Sequence, residues 1–189
     1  MRNLGWRIGA GVGLASMVML AGCPAPIPSP KMTLGGTAPD GGGFIAFTDG
    51  QDQTLVYGAQ GGFHLWMKFR LRDVPPHKSV AIQRMAWRDG DNQLVLRTMG
   101  SIDIGAPGPD GYYELPMAVP MFMCPSPIGL QVNDQLIRYQ ITLLDGTAPL
   151  AVGSIRLVPR CPQNAPPADG GVQDGGTDDH GFCVKICSG

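Results

Sequence analysis

The segment FHLWMKFRLR at Phe63–Arg72 limits the possible folds more than any other part of the chain. Its side chains alternate without interruption over ten residues. Successive side chains of a β-strand point to opposite faces, so this period of two predicts a strand with one buried face. The inward residues would be Phe63, Leu65, Met67, Phe69 and Leu71, and the outward residues His64, Trp66, Lys68, Arg70 and Arg72.

Further short strands are expected along the chain, separated by turn signals. The clearer ones lie at 79–87 and 93–99, around a turn at 89–92, and at 135–144 and 151–158; weaker ones lie at 44–48, 54–57, 101–104 and 112–115. Four prolines at 116–127 predict an edge strand or a loop there, because Pro has no N–H for a strand ladder. This pattern predicts an all-β, antiparallel β-sandwich of immunoglobulin-like or related topology. A small closed barrel is the alternative.

The composition favours the same fold class and excludes one class of partner. The chain of 189 residues holds 28 Gly and 18 Pro, both of which interrupt helices. Glu114 is the only Glu among 15 acidic residues, although Glu is the acid that suits helix surfaces. A net charge of -1 argues against nucleic acid as a partner.

The first 23 residues indicate where the protein is located. Arg2 and Arg7 precede thirteen uncharged, mostly apolar residues at 8–20, and Leu20-Ala21-Gly22-Cys23 follows. This order resembles the signal peptide and lipobox of a bacterial lipoprotein precursor. The resemblance implies cleavage before Cys23, diacylglycerol on its sulfur, acylation of the new amino terminus and hence a membrane partner through the lipid anchor. Pro24 is not the Asp expected of inner-membrane retention, which favours the outer membrane of the cell envelope.

Composition divides the chain into four expected regions. These are a signal peptide at 1–22, a lipidated Pro/Gly-rich tether at 23–43, the β-sandwich domain at 44–160, and a disordered Gly/Asp-rich tail with a terminal Cys pair at 161–189. The Pro-rich and Gly-rich compositions favour spacer conformations over a packed core.

Four further cysteines predict disulfides, because an even number of them in an exported chain favours pairing. They are Cys124, Cys161, Cys183 and Cys187, and three connectivities are possible. We favour Cys124–Cys161 together with Cys183–Cys187, since each pair then lies within one region of the chain.

A soft-metal site is an alternative use for part of the chain. Met117, Met121, Met123 and Cys124 lie within eight residues, and thioether and thiolate ligands select Cu(I). Methionine is also common in cores, and a disulfide is a better use of Cys124. We therefore expect core packing here, with no metal and no cofactor, and keep an envelope copper-binding protein as the second alternative.

An enzyme is the first alternative to a binding or structural module. The chain has no G-x-S-x-G, no H-E-x-x-H and no P-loop, but a catalytic site can be assembled from residues that are distant in sequence. The sequence therefore leaves catalysis open and favours a non-catalytic role.

The outward face of Phe63–Arg72 is the candidate ligand-binding surface. An exposed aromatic ring beside a row of cations can stack on a sugar or bind an anionic polymer. The alternative is a solvated outer face whose charges pair with neighbouring strands and whose Trp66 is covered by a loop. We expect a lipid-anchored envelope protein whose sandwich has a cell-wall glycan or an envelope protein as its ligand.

Overall fold

The computed structural model describes residues 31–38, 43–58, 61–163 and 179–189. In these ranges the chain forms eleven strands and one short helix. The strands are β1 (Lys31–Thr37), β2 (Phe44–Ala46), β3 (Gln51–Thr54), β4 (Val56–Tyr57), β5 (Phe63–Arg72), β6 (His77–Arg88), β7 (Leu94–Ile104), β8 (Tyr112–Glu114), β9 (Val119–Cys124), β10 (Ile137–Asp145) and β11 (Ala148–Arg160), and the helix is α1 (Asp179–Ile186). The predicted all-β sandwich is confirmed.

Strand β5 joins the two sheets of the sandwich. The main path of hydrogen-bonded strands runs β4–β5–β1–β11–β10–β6–β7, and β2, β3, β8 and β9 attach beside it. The first half of β5 pairs with β4 and β9, and its second half pairs with β1 and β8. Most pairs are antiparallel, but β1 and β3 run parallel to β11. The long alternating strand is therefore shared by both sheets.

The core lies between the alternating faces that the sequence predicts. On β5, Phe63, Leu65, Met67, Phe69 and Leu71 are at most 1% exposed. On β10, Ile137, Tyr139, Ile141 and Leu143 are fully buried. Burial of one such side chain is worth about 1.5–3 kcal/mol. Because a slip of one residue would turn charged side chains inward, these two faces fix the register of the sheets.

The predicted hairpin around residues 89–92 is confirmed by the antiparallel pairing of β6 with β7. Asn92 has a φ of 56°, a left-handed conformation that Asn adopts more readily than most residues. Arg88 donates hydrogen bonds to both Asp91 and Gln93 across the turn. Local side-chain bonding therefore closes this hairpin.

The expected tether at 23–43 is wrong for residues 31–37, which form strand β1. β1 lies between β5 and β11, so the folded domain includes residues well before 44. Gly35 and Gly36 suggest a linker, but an added Cβ at Gly35 would lie only 2.2 Å from the carbonyl oxygen of Ile45. This Gly is needed because the backbone of β2 passes close by. The remaining tether residues, at 23–30 and 39–42, lie outside the described residues.

The expected disordered tail at 161–189 is wrong at its described parts. Cys161 is buried, and α1 packs against the domain near the end of the chain. The backbone N–H of Ser126 donates to the carbonyl of Ile186, and that of Val132 donates to the carbonyl of Cys187. Cys183 of α1 and Cys187 directly after it are fully buried, and Val184 and Ile186 pack against the core. Residues 164–178 lie outside the described part of the chain.

The proline-containing segment 116–127 includes β9, which pairs with β5. Arg84 of β6 reaches across and donates from Nη1 to the carbonyl oxygen of Pro120 at 2.7 Å. Burial lowers the pKa of Arg84. An inward arginine therefore links β9 to the opposite side of the sandwich.

Candidate functional site

The outward face of β5 does not form a free row of cations. Lys68 is only 8% exposed, and its Nζ lies 2.7 Å from Oε1 of Glu114. Arg70 donates to the other carboxylate oxygen of Glu114, with Nη2 at 2.9 Å. The expected cationic surface is therefore wrong at these two positions, because the antiparallel pairing of β8 places Glu114 opposite Arg70.

The pairing with Lys68 and Arg70 also lowers the pKa of the Glu114 carboxyl group. The hydrogen bond from Lys68 is the main cause that lowers the pKa of Glu114, and Arg70 adds to it against the opposing effect of burial. The guanidinium of Arg72 lies 4.9 Å from the ring centre of Tyr112 on β8. Each cation of this face thus already has a partner within the domain.

His64 is also part of the structure rather than of a free surface. It is 6% exposed, and its ring meets the Phe122 ring edge-on with centres 4.5 Å apart. Its Nδ1 has no hydrogen-bond partner within the described residues. Burial lowers the pKa of His64 below its ordinary value of 6.5. His64 therefore packs as a neutral ring behind its exposed neighbour Trp66.

Trp66 remains accessible and borders a cleft. Its side chain is 43% exposed, so the proposed covering of this residue by a loop does not occur in the described structure. The cleft has a volume of about 390 Å³. Its described lining consists of Gly36, Thr37, Ile45, Phe47, Gln51, Gln53, Thr54, Val56, Leu65 and Trp66.

Strand register explains why a cleft opens at this place. On one edge of β5, β4 pairs with Phe63 and His64, and β1 pairs from Lys68 onwards. No described strand pairs with Leu65–Met67 on that edge. β3 does not fill the gap, because it pairs with β11 instead. Trp66 therefore stands at a break between two neighbouring strands, with β2 and β3 around it.

The described lining of the cleft is uncharged and amphipathic. Trp66, Ile45 and Val56 supply apolar surface, and the last two are 49% and 48% exposed. Gln51 and Gln53 supply amide groups that can both donate and accept hydrogen bonds. The described lining contains no carboxylate, histidine or cysteine.

The sequence indicated Trp66 but missed its partners in the cleft. Gln51 and Gln53 lie on β3, a four-residue strand that has too few residues to show periodicity. The predicted weak strand at 44–48 contained Ile45 and Phe47 without indicating which way they face. No local signal places these short segments beside β5, because only the pairing with β1 and β11 brings them there.

The disulfide connectivity differs from the one we favoured. Disulfides join Cys124 to Cys187 and Cys161 to Cys183, with Cα–Cα distances of 5.0 and 5.7 Å. The pairs Cys124–Cys161 and Cys183–Cys187 are therefore wrong. Cys183 lies on α1 and Cys187 directly follows the helix, four residues later, and both are fully buried against the sandwich. Each then bonds to the cysteine at the end of a strand.

The methionine segment does not assemble the soft-metal site of the copper alternative. Met121 and Met123 are buried in the core, whereas Met117 is 78% exposed. The sulfur of Cys124 is committed to a disulfide. Buried methionines here fill the core, as the packing interpretation expected.

The lipobox at Leu20–Cys23 and the signal peptide at 1–22 lie outside the described residues. Among the residues that the structure does describe, no helix is long and apolar enough to cross a membrane. The anchor at Cys23 stays a prediction from the sequence.

No family model, curated protein or solved structure matches the chain. The chemistry of the cleft and the order of the first 23 residues therefore carry the functional proposal.

Proposed function

We propose that this is a lipid-anchored protein of the bacterial cell envelope whose β-sandwich binds an uncharged stretch of glycan in the cleft beside Trp66. The observation that carries the proposal is the exposed Trp66 ring next to Gln51 and Gln53 in one uncharged cleft. The lipid anchor is inferred from the motif Leu20-Ala21-Gly22-Cys23. Pro24, in place of the Asp expected of inner-membrane retention, favours the outer membrane.

An aromatic ring beside two amide side chains is a combination that can bind a sugar. An indole ring offers a flat apolar face for the C–H side of a pyranose, and amides can bond to its hydroxyl groups. Binding sites with mostly apolar lining and a few polar groups that fix orientation are common for small ligands. The cleft volume of about 390 Å³ lies within the range of ordinary ligand sites, and it can hold one or two sugar rings.

Charge distribution favours a neutral segment over an anionic polymer. The described lining carries no charged side chain. Lys68 and Arg70, which would have attracted an anion, are paired with Glu114 and Asp110. Binding should therefore depend on stacking and hydrogen bonds, which salt weakens much less than it weakens ion pairing.

The direct test is retention on purified peptidoglycan and on lipopolysaccharide. Trp66→Ala should weaken binding about tenfold or more, which corresponds to about 1.4 kcal/mol. The matched control is Trp87→Ala, which removes a Trp that stacks on Arg138 and does not line the cleft. Binding should persist when the salt concentration is raised.

Fluorescence gives a second measurement in the same protein. Trp6, Trp66 and Trp87 are the only tryptophans, and cleavage before Cys23 removes the first. In Trp87→Phe, the emission therefore reports Trp66 alone, and a stacked sugar should shift it. No retention of the wild type on either glycan, or equal retention of Trp66→Ala, would refute the glycan proposal. Retention on an envelope protein alone would favour the protein-partner alternative.

A further inference from the structure

The sulfur atoms of both disulfides lie in one buried cluster. The non-bonded distance between Sγ of Cys183 and Sγ of Cys187 is 3.7 Å. The sulfurs of Cys161, Cys183 and Cys187 all lie within 4.8 Å of one another. Cys124 adjoins this group of three through its disulfide to Cys187. All four cysteines are at most 4% exposed.

We propose that these four cysteines, when reduced, form a tetrathiolate site for Zn²⁺. Tetrahedral zinc with a Zn–S distance of about 2.3 Å requires neighbouring sulfurs about 3.8 Å apart. The distance between Cys183 and Cys187 already meets this requirement, and the sulfurs of Cys161 and Cys187, which are not bonded to each other, lie within 4.8 Å. After reduction, the sulfurs of each bonded pair must separate from the length of a disulfide bond, about 2.0 Å, to about 3.8 Å. The Cys124 sulfur, which lies outside the group of three, must also move towards those of Cys161 and Cys183.

The backbone around the cluster holds the four ligands in place without the disulfide bonds. Cys124 ends β9, and Cys161 directly follows β11, so both ends are fixed by strand pairing. Cys183 lies on α1, and Cys187 directly follows the helix, with its backbone N–H donating to the carbonyl of Cys183. The carbonyl of Cys187 accepts a hydrogen bond from Val132, and the rings of Phe63 and Phe182 are in contact, with centres 6.3 Å apart.

The ligand set selects zinc over the common hard cations. Four thiolates in tetrahedral arrangement are typical of Zn²⁺, whereas Mg²⁺ and Ca²⁺ prefer oxygen. The candidate ligand group contains cysteines only, with no Asp or Glu. Burial further excludes the water ligands that Mg²⁺ retains.

The chemistry balances in two steps. A phosphine and one water molecule convert each disulfide to two thiols, and the phosphine leaves as its oxide. Zn²⁺ then displaces four thiol protons, which go to solvent. The metal would take over the role of both disulfides, so α1 would stay attached to the sandwich in either redox state.

The test uses the full chain with Cys23→Ser, which removes the fifth sulfur, in a mild detergent. After reduction by a phosphine, we expect one Zn²⁺ per chain in competition with a coloured chelator. Co²⁺ in its place should give the absorption of a tetrahedral thiolate site. Cys161→Ser with Cys183→Ser should weaken binding by more than about 100-fold, since even the loss of supporting contacts costs 10–100-fold. His77→Ala, which leaves the cluster intact, should bind as the parent chain does.

Proteolysis separates a folded site from zinc held by an unfolded chain. Lys185 lies within α1, and trypsin can cleave after it only when the helix opens locally. Cleavage there should be at least about tenfold slower in the reduced chain with Zn²⁺ than without it. The proposal is overturned by a reduced chain that takes up no stoichiometric Zn²⁺, by equal binding in the double variant, or by zinc that leaves cleavage after Lys185 unchanged.

Discussion

Lys68 and Glu114 form a half-buried ion pair whose Nζ–Oε1 distance is 2.7 Å, although they are 46 residues apart in the chain. Their side chains are 10% and 26% exposed. The pair attaches β8 to β5 and neutralises a cation that the strand pattern places outward. This pairing turns an apparent anion-binding face into part of the scaffold.

Replacement of Glu114 by Gln should destabilise the domain. The change leaves the buried ammonium of Lys68 without a counter-ion, which costs about 2–4 kcal/mol. Lys68→Met should cost less, because it removes the charge together with its desolvation penalty. Chemical denaturation of both single variants and the double variant measures the coupling. A double variant no more stable than Glu114→Gln alone would contradict this account.

The stability of the domain should fall as the pH drops below about 6.5, the ordinary pKa of His. Burial lowers the pKa of His64 in the folded state, so the unfolded chain binds a proton more readily. The loss begins below the unfolded pKa and levels off below the folded one. Glu114 acts separately at lower pH, because its stabilisation is lost only as the pH falls through its lowered folded pKa.

Melting temperatures at neutral and mildly acidic pH test the contribution of His64. His64→Gln, which does not titrate, should lose most of the decrease between these two conditions. An unchanged decrease in the Gln variant would assign the pH dependence to other groups.

Loss of each disulfide should destabilise the chain by an amount that grows slowly, with the logarithm of the length of the segment it closes. Cys124–Cys187 spans 63 residues and Cys161–Cys183 spans 22. In the chain-entropy description these contribute about 4 and about 3 kcal/mol. Cys124→Ser should therefore lower the melting temperature more than Cys161→Ser. Non-reduced peptide mapping that links Cys124 to Cys161 would overturn the connectivity.

Gly35→Ala should destabilise the domain by about 3 kcal/mol, because overpacking against backbone cannot be relieved by a side-chain rotation. The added methyl would lie 2.2 Å from the carbonyl oxygen of Ile45. The control is Gly100→Ala on β7, whose added methyl meets Ile82 at an ordinary 3.4 Å. Thermal unfolding of the two variants should differ clearly. Equal stability would show that β1 does not approach β2 closely.

Cys23→Ser should abolish lipid attachment and cleavage by the lipoprotein peptidase. A hydroxyl is a far weaker nucleophile than the thiol on which lipid transfer depends. Intact-mass measurement of membrane extracts would detect the acyl chains on the wild type. A wild-type mature mass equal to that of the bare polypeptide would refute the lipid anchor.

The sequence predicted the parts of the fold that depend on local periodicity. The alternation along β5 and β10 identified their buried residues, because a strand presents every second side chain to the same face. The same alternation placed Trp66 on the outward face, and the structure shows this residue exposed. These features need no knowledge of which strands are neighbours.

The features that the sequence did not predict depend on pairing between distant segments. Lys68 looked exposed because Glu114 comes within reach only when β8 pairs with β5. Gly35 looked like part of a linker, since its close neighbour Ile45 lies on another strand. The cysteine connectivity depended on where α1 packs, and eight residues of helix carry no signal for that.

The position of β1 decides how a pull on the membrane anchor would reach the domain. Seven residues, 24–30, lie between Cys23 and β1, so a domain anchored at Cys23 would stand at most about 29 Å from the bilayer surface, over eight steps of up to about 3.6 Å. β1 is not an edge strand, because β5 and β11 flank it. Tension on the lipid, if it pulls along β1, would therefore load the hydrogen bonds of an interior strand in shear. Many bonds would then resist together and would not open one after another from a free edge.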